Sequence, residues 1–293
     1  MKSISEIAGE FPIMKMHGCG NDFVVMVDWN EELIPEQVKK ICERNYGIGS
    51  DGLITVTQRR NEDSEYRMKF FNPDGTTAQM CGNGIRCFAK YLVDNNFSEL
   101  GEVDVDTDAG LRIPNVLENT SKKASVLVDM GKPVLYNPNQ VTVSPGDKGF
   151  VNFSYPQLPF DITFVSMGNP HAVVFYEFPE ELVLKYGPMI ERDISLFPQK
   201  TNVEFVKVNS KDLLEMRVWE RGAGETLACG TGACASLVAA VLNGYANNSA
   251  TVRLKGGDLS ISWDGKDGSV YMKGNAENVC SIDAKSLDKY LLG

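Results

Sequence analysis

The sequence repeats itself. Displaced by a fixed 148 residues, Gly20-Asn21 falls on Gly168-Asn169 with Val25 on Val173, and Glu43-Arg44-Asn45 falls on Glu191-Arg192-Asp193. The same displacement carries Met68-Lys69 onto Met216-Arg217, Cys81-Gly82-x-Gly84 onto Cys229-Gly230-x-Gly232, and Leu111-x-Ile113 onto Leu259-x-Ile261. Matches in chain order at a single displacement are the mark of a duplicated domain. A chain of 293 residues has room for two halves that each bury a core. The expected division is a first half over residues 1–127, carrying Cys81, and a second over 128–293, carrying Cys229, with the final segment free to pack back on the first half.

Each half reads as the same order of elements. Phe23–Asp28 and Ala172–Glu177 are short, β-branched and aromatic, and so strand-like. Pro35–Asn45 opens on proline and carries Val38 and Ile41 at helical spacing, with Pro179–Tyr186 as its weaker counterpart. Strands follow at Tyr66–Phe71 and Leu213–Trp219, and then glycine-rich turns open helices over Ile85–Asn95 and Ala233–Asn243. The second of these is almost wholly apolar, which predicts a buried helix. Strand-like alternation returns at Val103–Asp106, Leu111–Ile113, Thr251–Leu254 and Leu259–Trp263, with closing strands at Val126–Met130 and Val270–Lys273. The fold class predicted is α+β: two pseudo-symmetric halves, each a mainly antiparallel sheet wrapped around a central buried helix.

Composition narrows the function classes. A formal charge of -10 without a Lys/Arg block argues against a nucleic-acid partner. No apolar run approaches the roughly 18 residues of a membrane span, and residues 1–13 carry acidic residues and no apolar core, so they do not read as a secretory signal. The reading is a cytoplasmic protein, with residues 1–13 open to being a short disordered leader or a remnant of expression. Seven cysteines, an odd number, predict reduced thiols rather than a disulfide framework. With two histidines and no Cys-x2-Cys, no metal is expected.

Cys81 and Cys229 each stand at the head of a predicted helix. The first N–H groups of a helix lack intrahelical partners and the end carries about half a positive charge, so it attracts carboxylates and lowers thiol pKa. A lone Cys-Gly-x-Gly reads first as a buried cysteine beside a helix cap. Two at equivalent positions of a duplication can supply one thiol to each side of a cleft, as stereoinversion requires. An amino-acid α-hydrogen is a very weak acid, and pyridoxal enzymes meet this with a lysine Schiff base, which nothing here marks. Without that cofactor the developing dianion needs oriented backbone donors in a dry site, which two helix N-termini supply.

The stretches MHGCGNDFVVMV (16–27), GIGSDGL (47–53), FFNPDGTTAQMCGNGIRC (70–87), VDMGKP (128–133), MGNPHAV (167–173), TNVEF (201–205) and WERGAGETLACGTGAC (219–234) resemble those of the diaminopimelate epimerases over essentially the whole chain. The resemblance implies a cofactor-independent enzyme of two half-domains that interconverts LL- and meso-diaminopimelate for lysine and peptidoglycan synthesis. It implies Cys81 and Cys229 as the two bases, with Gly82, Asn83, Gly230 and Thr231 on the reacting α-carboxylate. Asn21, Asn72, Asn169, Asn202, Glu220 and Arg221 would bind the rest of the substrate, and His171 and Glu220 would assist catalysis. Tyr271, in VYMKG, would lie at a homodimer contact. Arg221 offers a planar fork for a distal carboxylate, and Glu220 can accept from an ammonium group. Position 52 departs, being glycine where some relatives carry a ligand-reaching side chain.

Three other readings compete. A phenazine-biosynthesis-like isomerase or a small-acid binding protein would lack one or both thiols, and both are present here. A proline or hydroxyproline racemase shares the two-thiol logic, but Asn83 stands where those enzymes tend to carry histidine. A redox-sensing dithiol protein would instead cycle Cys81 and Cys229 through a disulfide.

Overall fold

A computed structural model describes residues 2–59, 62, 64–78, 80–142, 151–154, 158–265 and 267–292. The chain divides into two compact units, Met1–Val128 with Gly274–Gly293, and Asp129–Lys273.

In the first unit, α1 (Ile4–Ala8) precedes β1 (Ile13–Gly18) and β2 (Asn21–Val27), and α2 (Pro35–Cys42) leads to β3 (Gly52–Thr57), β4 (Tyr66–Phe71) and β5 (Thr77–Ala78). Then come α3 (Gly82–Asp94), β6 (Gly101–Glu102), β7 (Val105–Thr107), β8 (Gly110–Arg112), β9 (Asn115–Asn119) and β10 (Lys123–Asp129). The β1–β2 hairpin closes through Cys19-Gly20, both at positive φ (53° and 79°), as a two-residue hairpin turn of the right twist demands. β2 pairs parallel with β3 across α2, β3 antiparallel with β4, β4 parallel with β7 across α3, and β7 antiparallel with β8.

The second unit runs β11 (Phe153–Ser154), β12 (Asp161–Ser166), β13 (Pro170–Phe175), α4 (Pro179–Glu191), β14 (Asn202–Ser210), β15 (Leu213–Glu220) and β16 (Gly224–Glu225). It continues through α5 (Gly230–Leu242), β17 (Ser249–Leu254), β18 (Gly257–Trp263) and the long β19 (Val270–Ile282), with α6 (Ala284–Leu292) after it. The pairings repeat in kind: β12 with β13 antiparallel, β13 with β14 parallel across α4, β14 with β15 antiparallel, β15 with β17 parallel across α5, and β17 with β18 antiparallel. β19 pairs with β18 through its first residues and with β1 through its last.

The central helices explain both cores. α3 is buried from Gly82 to Leu92 and packs on β1, β2, β3, β4 and β9. α5 packs on β12, β13, β14, β15, β17 and β18, and its apolar run from Ala233 to Ala240 is buried throughout. The α+β architecture of a mainly antiparallel sheet around one buried helix is therefore present in each unit.

Two expectations need correction. Residues 4–8 are not a disordered leader: Ile4, Ile7 and Ala8 fall on one helical face and bury against Val38, Ile41, Leu287 and Leu291. Ser3 and Glu6 form a reciprocal capping box, and the Asp288 carboxylate accepts from the amides of Ile4 and Ser5. The helix from Pro179 also continues beyond Tyr186 to Glu191, through Pro188, because Val183 and Ile190 are buried and Gly187 lies against Trp219. Tertiary packing there outweighs the helix-breaking tendency of an internal proline.

The unusual glycine at position 52 has a local cause. A Cβ there would sit 2.8 Å from the Phe71 carbonyl oxygen and 2.9 Å from Cζ of Phe70, so the Phe70 ring occupies the space a side chain would need. Gly52→Ala is expected to lower stability by about 1–3 kcal/mol through overpacking, read as a shift of the urea midpoint with unchanged m-value.

Candidate active site

Both conspicuous cysteines are helix N-caps of nearly identical geometry. Cys81 precedes α3 at φ -133°, ψ 119°, and Cys229 precedes α5 at φ -126°, ψ 110°. Each sulfur accepts from the backbone amide three residues on, Gly84 or Gly232, at 3.4 Å. An extended N-cap whose side chain accepts from the third helical amide is the usual cap geometry, with sulfur here in place of a hydroxyl oxygen. Gly82 and Gly230 open the two helices, so their amides are among the donors left unpaired by the helix.

Equivalent asparagines serve the two turns. Asn21 Oδ1 accepts from Asn83 Nδ2 at 3.2 Å and lies 3.7 Å from the Cys81 sulfur, while its Nδ2 donates to Asp51 at 2.8 Å. Asn169 Nδ2 donates to Thr231 Oγ1 at 3.3 Å, and Thr231 Oγ1 lies 3.5 Å from the Cys229 sulfur. Asn83 and Thr231 are themselves related by the 148-residue displacement. Arg86, on the first turns of α3, is fully buried and donates to the Gly82 carbonyl at 3.1 Å and to Asn83 Oδ1 at 2.9 Å.

The surroundings of Cys229 depart from this symmetry. His171 is fully buried, with Nδ1 2.7 Å from Glu204 Oε1 and Nε2 3.0 Å from Asn169 Oδ1. Glu220 accepts from Thr226 Oγ1 at 2.5 Å. Burial raises the Glu220 carboxyl; hydrogen bonds from Thr226 and Cys229 oppose this, the negative charge of Glu204 adds to it, and His171 works against it.

Cys229 corrects the expectation that the helix end makes both thiols acidic. It is 6% exposed. Burial pushes its thiol well above the ordinary value, the carboxylates of Glu220 and Glu204 push it further, and the bonds to Thr231 and the Gly232 amide only partly offset them. The cap is present, but two nearby anions in a dry setting outweigh it.

The other expected residues divide by what holds them. Asn72 sits in the β4–β5 turn, where its Nδ2 donates to Thr76 Oγ1 at 3.0 Å. Asn202 ties strands together, donating to the Pro170 carbonyl at 3.0 Å and accepting from the Arg221 amide at 3.0 Å. Arg221 is exposed and its Nη1 donates to the Gln199 carbonyl at 3.1 Å. Tyr271 lies half-buried on β19 opposite Ser262. Asp51 and Glu204 were not among the expected site residues, although both lie in the recognised motifs GIGSDGL and TNVEF. The signal for Glu204 was a charged residue set among the apolar Val203, Phe205 and Val206. Among the described residues no cluster of His, Cys, Asp and Glu could hold a metal ion, and no helix is long and apolar enough to cross a membrane.

The family model described as diaminopimelate epimerase matches residues 13–136 and 163–279, taking in both cysteine turns and every residue named above for the two sites. The chain belongs to the diaminopimelate epimerase family. A diaminopimelate epimerase from Desulfitobacterium hafniense is 47% identical over 274 residues, 91% of this chain and 95% of that protein. Solved structures with the same fold are more distant in sequence. A phenazine biosynthesis protein of the PhzF family from Bacillus anthracis superimposes with a TM-score of 0.69 at 15% identity, covering 96% of this chain and 99% of the other. A hydroxyproline epimerase from Agrobacterium vitis gives 0.63 at 13% identity, covering 92% and 91%. The diaminopimelate epimerase fold is thus shared with proteins named for other functions, and membership of the family rests on sequence.

Proposed function

We propose that this chain epimerises LL-diaminopimelate to the meso form without a cofactor, in the cytoplasm, as a step towards lysine and peptidoglycan. The observation that carries the reading is the matched pair of N-capping cysteines, one in each half of a duplicated chain, in a member of this family. The two halves are the products of the duplication, and Cys81 and Cys229 act on opposite faces of the substrate α-carbon.

The roles follow from local chemistry. Cys229, held protonated by burial and by Glu220 and Glu204, is the thiol that delivers a proton. Cys81, as thiolate, removes the α-hydrogen on the other face, and the two exchange roles in the reverse direction. The Arg86 guanidinium places positive charge against the first turn of α3, the turn that Cys81 caps. Amides at Gly82, Asn83, Gly230 and Thr231 receive the α-carboxylate, whose charge grows as the proton leaves. Arg221 takes the distal carboxylate; Asn21, Asn72, Asn169, Asn202 and Glu220 orient the remainder, with His171 and Glu220 supporting the proton transfers. Tyr271 belongs to a homodimer contact.

The test is solvent exchange. In deuterium oxide, without added pyridoxal phosphate, the protein is expected to replace the α-hydrogen of LL-diaminopimelate and to leave proline untouched. Exchange of proline but not diaminopimelate would move the chain to the racemase reading, and exchange of neither would refute both.

A further inference from the structure

The second unit contains a buried charged residue that the first unit does without. In the pairing of β2 with β3, Phe23 stands opposite Gly52 and Val25 opposite Ile54; in that of β13 with β14, His171 stands opposite Asn202 and Val173 opposite Glu204. Phe23 and Ile54 are therefore the structural counterparts of His171 and Glu204. The helix turns agree: a Cβ on Gly84 would meet Ile54 Cδ1 at 3.0 Å, and one on Gly232 would meet Glu204 Oε1 at 2.6 Å. All four side chains are fully buried. The same cavity in the same fold is filled once by an apolar pair and once by an imidazole and a carboxyl group.

Packing alone does not account for that exchange. Burying charged groups is less favourable than burying apolar ones of similar volume. Glu204 Oε1 meets His171 Nδ1, but its Oε2 is buried with no hydrogen-bond partner among the described residues, an arrangement in a native fold that calls for a reason beyond packing. Glu204 lies against the first turn of α5, and the groups facing it are His171 from β13, Glu220 from β15 and the Cys229 thiol at the start of α5. The carboxyl group against Nδ1 holds the ring in place and sets Nε2 against Asn169 Oδ1, and Asn169 in turn reaches Thr231 beside Cys229.

We infer that Glu204 is a positioning residue for the epimerisation: it fixes the ring of His171 between β13 and β14 and sets its carboxyl group against the first turn of α5, beside Cys229. The inference rests on the proposed diaminopimelate reaction, and it assigns to Glu204 what the first unit, with Ile54, lacks.

Glu204→Gln preserves shape and an acceptor for Nδ1–H while removing the charge. It is expected to reduce kcat for diaminopimelate about 10- to 100-fold, the range seen when outer-shell partners are lost, with KM nearly unchanged. Because Glu204 raises the Cys229 thiol, its loss moves the alkaline limb of the pH profile to lower pH, and Glu204→Asp restores the limb in part. The chain has two histidines, so the His171 Nδ1–H resonance is readily assigned by nitrogen-15 NMR; it is expected far downfield in the parent and upfield in the Gln variant, whatever the activity. Glu204→Ile, which copies the first unit, should fold and lack activity. An unchanged pH limb, an unmoved resonance, or failure of both the Gln and Ile variants to fold would overturn the inference. A parent protein that exchanges no diaminopimelate would instead refute the proposed reaction, and the NMR result would still stand or fall on its own.

Discussion

Cys229→Ala and Cys81→Ala are each expected to lower kcat/KM for diaminopimelate epimerisation by about 100- to 10,000-fold, the contribution of a positioned acid or base. The exchange experiment divides the roles more finely than the rate. A variant that keeps one thiol can still remove and return a proton on the same face, so it can exchange the α-hydrogen of one stereoisomer without inverting it. The double variant should do neither, and exchange that survived it would refute the thiol mechanism. Folding is not at risk in these variants. Each sulfur makes one cap bond, to Gly84 or Gly232, and loss of a cap lowers stability by about 1 kcal/mol. A melting temperature that collapsed would mean the thiols are structural.

Stability should fall steeply in alkaline solution. Burial pushes the Cys87 thiol from the usual value of 9.0 up to about 12, and Cys229 also lies well above its ordinary value. Both groups hold their proton more tightly in the folded chain than in the unfolded one. Below the ordinary thiol value both states are protonated and pH has no effect through these groups. Above it only the unfolded chain releases protons, so unfolding gains free energy as pH rises, by about 1.4 kcal/mol per pH unit for each thiol. For Cys87 the loss grows until the pH reaches about 12, where the folded thiol ionises too; it then totals about 4 kcal/mol. Urea midpoints from about pH 8 to pH 10.5 check the slope. Cys87→Ala should flatten it by the share of one thiol, and an equal slope in that variant would show that Cys87 does not carry the effect.

Much of this fold is written in local pattern. Tyr66–Phe71 is a strand between the residues expected, and the helices after the two glycine turns start within three residues of their expected first positions. Those segments state their structure locally, through Tyr66, Met68 and Phe70 alternating with Arg67 and Lys69, or through a glycine turn placed just before a helix. β3 and β14 were not read as strands, since Gly52–Thr57 and Asn202–Val206 are buried on both faces and so lack the alternation of a half-exposed strand. α1 was missed because five residues are too few to show a helical period; its stability comes from Leu287, Leu291 and Asp288 at the far end of the chain. At the site, the two caps were legible because duplication printed them twice. The ionisation of Cys229 was not, since it depends on Glu204 and Glu220 arriving from separate strands beside one sulfur. The pairing of His171 with Glu204 has the same character: 33 residues apart in sequence, they meet only through the parallel register of β13 and β14.

The division of the chain bears on the order in which it can be made. Asp129–Lys273 is one continuous stretch, whereas the other unit is assembled from residues 1–128 and 274–293, and β1 finds its partner in the last residues of β19. During synthesis from the N-terminus, the unit that begins first is the one that finishes last. Residues 1–128 leave the ribosome with the outer edge of β1 unpaired and Ile4, Ile7 and Leu33 without Leu287 and Leu291 to cover them. They stay in that state while the whole of the second unit is made, and at translation rates of about 5–20 residues per second this lasts for about ten seconds or more. That interval, rather than the finished protein, is when a chaperone or a second nascent chain would find an open edge.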